Sequence, residues 1–102
     1  MPSAVGRVYV RDAIEVAAES EVRVIGQIRS GSVCEGMQAC VSFGNGFSVV
    51  ATIKRVESLP AASGDGEVSI ALDIPDEEDR GFWKDLCHPD SWLGIIQNNE
   101  NG

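Results

Sequence analysis

Four stretches of the chain alternate apolar and polar side chains with a period of two, and nothing else limits the fold as strongly. In residues 21–29, Val22, Val24, Gly26 and Ile28 share one face, while Glu21, Arg23, Ile25, Gln27 and Arg29 share the other. Met37, Ala39, Val41 and Phe43 alternate with Gln38, Cys40 and Ser42. Phe47, Val49, Ala51 and Ile53 alternate with Ser48, Val50, Thr52 and Lys54. Val68, Ile70, Leu72 and Ile74 alternate with Glu67, Ser69, Ala71 and Asp73. Successive side chains of a strand leave opposite faces, so each run reads as a strand with one buried side, and the set as an antiparallel sheet. An earlier run, residues 6–11, turns Val8 and Val10 inward and Arg7, Tyr9 and Arg11 outward. Residues 13–19 admit a short helix, but Ile14 and Val16 keep the alternation and favour a strand or a bulged continuation.

Turn chemistry separates the runs. Gly44-Asn45-Gly46 supplies the positive φ that tight hairpins need, and residues 60–67, Pro-Ala-Ala-Ser-Gly-Asp-Gly-Glu, form a looser connector. Between Ile28 and Met37 a strand ends at Arg29, the chain turns at Ser30-Gly31, and a second turn at Glu35-Gly36 launches the next strand. Many short strands in 102 residues predict an all-β fold, a single small closed antiparallel β-barrel, because closure removes the edges that a flat sheet exposes. One domain over residues 1–97 fits the length, with 98–102 disordered. The tail carries both tryptophans: Phe82-Trp83 starts a last strand or a helical turn, and Pro89 ends what precedes it. Residues 84–97 are read as an irregular or helical tail that caps the barrel, the other reading of 92–96 being an exposed partner surface.

No apolar run approaches the ~18 residues that cross a bilayer, and the start of the chain lacks the ~7–15-residue apolar stretch of a secretory signal. A cytoplasmic protein is expected. Cys34, Cys40 and Cys87 cannot all pair with one another, and Cys40 fits its strand as a small hydrophobe. Cys87 and His88 are adjacent, but four zinc ligands cannot be assembled, and nucleophilic Cys–His pairs meet across a pocket rather than along the chain. The acids Asp73, Asp76, Glu77, Glu78 and Asp79 crowd a stretch read as a solvated loop, without calcium-loop spacing and without a pocket to drive their pKa values apart. No catalytic, cofactor-binding or metal-binding residue is assigned. Charge is uneven: six basic and five acidic residues up to Arg55, two and eleven from Val56 onward. The net of −8 disfavours a phosphate backbone.

Val24 to Met37 reads V-x-G-x-I-x-S-G-x-V-x-x-G-M. This closely resembles a stretch in the second domain of elongation factor Tu and the other translational GTPases. Ser-Val-Val-Ala-Thr-Ile-Lys-Arg-Val-Glu-Ser, from Ser48 to Ser58, is similar to that family's next strand. Residues 61–83 resemble its A-x-x-G-D-x-V-x-I-x-L segment and the acidic run behind it. The resemblance covers about residues 5–83 and implies a barrel with turns at Gly64-Asp65 and Arg80-Gly81. Beyond Gly81 the chain departs from the family, which has an aliphatic strand there. No G-x-x-x-x-G-K-[S/T] loop is present, so no nucleotide is expected.

Three functions compete. A non-enzymatic binding or regulatory module contacting a protein partner is expected. An RNA or ribosome contact is the alternative; the resemblance implies it, and it needs Arg7, Arg11, Arg23 and Arg29 to align as a basic stripe across paired strands. Catalysis by the 73–79 acids with Cys87 and His88 stands last.

Overall fold

The computed structural model describes residues 4–44, 46–59 and 67–97. Its strands are β1 (Ala4–Val16), β2 (Glu21–Gly31), β3 (Gln38–Gly44), β4 (Phe47–Ser58), β5 (Glu67–Asp73) and β6 (Trp92–Ile96), with a helix α1 (Glu77–Leu86) between the last two. Every neighbouring pair is antiparallel. The order β1-β2-β5-β4-β3-β6 closes on itself, so the chain is the small all-β barrel that its alternation predicts. β3, β4 and β5 follow one another as neighbours, and β2 lies beside β5, a Greek-key arrangement.

The inward residues fill the barrel. Val8, Val10, Val22, Val24, Ile70, Leu72, Leu93 and Ile95 are fully buried, and Met37, Val41, Val49 and Val56 pack against them. Burying a Val, Leu or Ile side chain contributes about 1.5–3 kcal/mol.

Bulges correct the phase of β1. Its pairing with β2 steps from Val10↔Gly26 to Asp12↔Ile25, which leaves Arg11 as the extra residue. The bulged continuation is therefore real. It turns Ala13 inward, at 8% exposure, and Ile14 outward, at 46%. A 3-10 turn, Ala17–Glu19, then leads into β2.

β2 also runs further than its pattern indicates. It continues through Ser30 to Gly31, which pairs with Gly6 at φ +71°, so no turn forms there. A side chain on Gly31 would collide with the Val5 carbonyl, and one on Gly26 with the Tyr9 carbonyl. These glycines admit a close strand approach. The true turn is at Glu35-Gly36, closed by the Met37 amide donating to the Cys34 carbonyl at 3.2 Å.

The tail differs most from expectation. Asp76 caps α1 by accepting from the Glu78 amide at 2.9 Å, and Glu77, Glu78 and Asp79 occupy the first turn, where the helix dipole favours negative charge. The acidic block is thus a helix start rather than a loop, and Arg80-Gly81 lies inside the helix rather than at a turn. Arg80, Trp83 and Cys87 follow at helical spacing, each less than 7% exposed. Arg80 ties the helix to the barrel end where β1 stops and β2 starts: its Nε donates to Glu15 at 2.9 Å and its Nη1 to the Ile74 carbonyl at 3.0 Å. The cap is therefore α1. Residues 92–96, expected as a cap, instead form β6, the closing strand, because Leu93 and Ile95 alternate inward. The connector at 60–66, with Gly64-Asp65, and residues 98–102 lie outside the described residues.

A chain ending at Pro89 lacks β6 and leaves two strand edges unpaired. It is expected to show no cooperative thermal transition by circular dichroism; a sharp melt near that of the full chain would contradict the closing role. Gly26→Ala is expected to lower stability by about 2 kcal/mol in urea titrations, through backbone overpacking.

Candidate binding face

The residues weighed for chemistry are dispersed. Cys87 points into the core at 1% exposure, and burial pushes its thiol up to about 12. His88 beside it is exposed, its Nδ1 2.8 Å from the Pro89 carbonyl oxygen. Cys34 is exposed, Cys40 half-buried, and all three cysteines are free. Asp73, Asp76, Glu77, Glu78 and Asp79 are exposed. Among the described residues no His, Cys, Asp and Glu side chains group as a metal site, and no helix is long and apolar enough to cross a membrane.

The four outward arginines do not form a stripe. Arg11, on its bulge, reaches Glu67, with Nη2 3.0 Å and Nε 2.6 Å from the two carboxylate oxygens. Arg23 is held by Glu21 at 2.5 Å. Arg7 and Arg29 come together instead, around two aromatic rings.

Strand register builds that cluster. β1 lies between β2 and β6, so Tyr9 stands opposite Trp92 on one side and Gln27 on the other. The two rings meet edge to face, centroids 5.1 Å apart. Arg7 pairs with Gly94, which has no side chain, and its guanidinium rests over the Trp92 ring at 4.4 Å. The Arg29 guanidinium lies 5.5 Å from the Tyr9 centroid. Trp92 remains 43% exposed.

The loop before β6 completes the face. Val10 donates to the Ser91 carbonyl and accepts from the Asp90 amide, at 2.9 and 3.0 Å. This holds Asp90, at φ +71°, where its carboxylate accepts from the Tyr9 hydroxyl. That hydrogen bond, with burial and the Asp90 charge, raises the Tyr9 phenol above its ordinary value, and Arg29 opposes the shift. Two hollows flank the rings. One, of about 350 Å³, lies among Tyr9, Arg29, Gln27, Pro89 and Asp90. The other, of about 430 Å³, lies among Trp92, Arg7, Cys40, Ser42 and Gly94. Of these residues, strand alternation points to Arg7, Tyr9 and Arg29, and the reading of 92–96 as an exposed partner surface points to Trp92; nothing in the sequence singles out Asp90.

Elsewhere, Glu21 sits on the outward side of β2 yet is fully buried. Ala71 pairs with Arg23 on one side and Arg55 on the other, and its small side chain lets both converge on Glu21, at 2.5 and 3.2 Å. Lys54 stands 3.2 Å from Oε1 outside hydrogen-bond geometry, leaving that oxygen without a hydrogen bond. Burial pushes the Glu21 carboxyl up, but the Arg23 hydrogen bond, the Lys54 contact and the Arg55 charge outweigh it and hold the carboxyl below its usual range. The alkyl stems of the three cations account for its burial.

Compared with known proteins, the chain matches no family model, no curated protein and no solved structure.

Two titrations check these electrostatics. The chain has one tyrosine, so alkaline absorbance reads Tyr9 directly: it is expected to ionise above free tyrosine, and Asp90→Asn to lower that midpoint. Glu21, with its folded pKa depressed, contributes stability above its unfolded value of about 4.3 that is lost as pH falls through the folded value. Glu21→Gln is expected to cost about 2 kcal/mol at neutral pH, because its partners are partly solvated, and to flatten the acid limb of the stability curve.

Proposed function

We propose that the chain is a non-enzymatic binding module and that the outer face of β2, β1, β6 and β3 is its contact surface for a protein partner. The observation that carries this is an exposed Trp92 packed against a half-buried Tyr9 and flanked by two arginines that ion-pair with no carboxylate among the described residues. Tyr, Trp and Arg are the side chains that most often dominate interface energetics, being large and amphipathic. Their contacts with one another favour a preorganised surface, which lowers the ordering cost of binding.

The resemblance to the second domain of translational GTPases supports a barrel of that type. Three free cysteines suit a reducing, cytoplasmic setting. An RNA or ribosome contact is the second reading, because exposed rings with arginines also suit unstacked bases. Against it, Arg11 and Arg23 are engaged by Glu67 and Glu21, so two of the four cations remain, in a chain of net charge −8.

A photo-crosslinking residue placed at Ser42, at the rim of the face, is expected to capture one discrete protein from lysate of the source cells. The same probe at Phe82 on α1 is not, and Trp92→Ser should abolish capture by the Ser42 probe. Equal capture from both positions, or capture of RNA alone, would overturn the proposal.

A further inference from the structure

The two hollows repeat one arrangement. Tyr9 with Arg29 lines the first, and Trp92 with Arg7 the second. Elsewhere Arg11, Arg23, Lys54, Arg55 and Arg80 each reach a carboxylate within 3.2 Å, and Lys84 on α1 is the one other cation that ion-pairs with none among the described residues. With sixteen acidic and eight basic residues, acids are abundant. Yet Arg7 and Arg29, both exposed and on one face, have no carboxylate partner among the described residues. A guanidinium beside a ring and without a carboxylate still has its fork of N–H donors, which fits a carboxylate with two parallel hydrogen bonds.

From Arg29 through Tyr9 and Trp92 to Arg7 the steps are 5.5, 5.1 and 4.4 Å. These steps set an upper bound on the separation of the two guanidinium groups, and the path bends, because Arg29 is the extra β2 residue between the partners of Arg7 and Val8; a peptide extended at roughly 3.4 Å per residue spans it in at most about four residues. The barrel is closed, so a partner cannot add a strand to an open edge and must be read through side chains. Resting on the reading above, we infer that this face takes an extended acidic peptide segment of the partner. Two of its carboxylates, two to four positions apart, meet Arg7 and Arg29, and an apolar side chain between them lies on the rings.

The probe is a series of fluorescein-labelled octapeptides in a Gly/Ser background with a central leucine. Each carries two glutamates at separations from one to six positions, and has a matched glutamine version. Fluorescence anisotropy with the full chain is expected to favour separations of two to four. Each preferred peptide should bind at least tenfold more tightly than its glutamine version. Arg7→Gln and Arg29→Gln should each weaken binding about tenfold, Arg→Lys at either position should restore part of it, and Lys84→Gln should change nothing. Matched thermal melts show that the variants are folded. Equal binding of glutamate and glutamine peptides, indifference to spacing, retention in the Arg→Gln variants, or preference for labelled decauridine would each overturn the inference. If crosslinking at Ser42 depends on Trp92 but survives both Arg→Gln changes, the protein-contact reading stands and the acidic segment falls.

Discussion

The pairing of β6 with both β1 and β3 is the contact on which the rest of this molecule depends. Five residues, Trp92–Ile96, satisfy the backbone groups of two strands that would otherwise be edges. The same residues insert Leu93 and Ile95 into the core at 0% exposure. Closure removes the exposed edges that invite aggregation and lets a chain of this size enclose a dry interior. The helix before β6 contributes by bringing the chain back: Arg80 fastens α1 to Glu15 and to the end of β5, and Trp83 and Cys87 seal the interior beneath it.

Closure also creates the outer face. Tyr9 and Asp90 are 81 positions apart in sequence, and they meet only because β6 lies beside β1. Gly94 opposite Arg7 leaves the space through which the guanidinium reaches Trp92. A side chain at Gly94 would also press on the Cys40 carbonyl, at 3.3 Å. One strand therefore serves both sides of the wall, with aliphatics within and an aromatic platform without.

The ion cluster around Glu21 follows the same logic on another part of the wall. A small residue, Ala71, between two long cations lets both lean over it, and the alkyl stems then shield the carboxylate. Alternation alone assigns Glu21 to solvent, and it is correct about the direction of the side chain. Burial on that side was decided by neighbours from β4, which no local pattern names.

Much of the barrel was legible because period-two alternation is a local property of a strand, carried within five to ten residues. Val22, Val24, Ile70 and Leu72 turn inward as their runs predict. Three details escaped, each for a physical reason. The bulge anticipated in β1 falls at Arg11 and inverts the phase of Ile14 through pairing with β2. The helix was hidden by Gly81, a poor helix former, although Asp76, the acids behind it and the Arg80–Trp83–Cys87 spacing announce one. β6 was masked by its brevity. By itself, then, the sequence determined which side chains of β2, β3, β4 and β5 face inward and that a turn falls at Glu35-Gly36, since these depend on residues adjacent along the chain. Only the tertiary structure decided that Arg7, Tyr9, Arg29 and Trp92 share a face while Arg11 and Arg23 are taken up by acids. Strand order and register set those distances, and both emerge only when the cylinder closes.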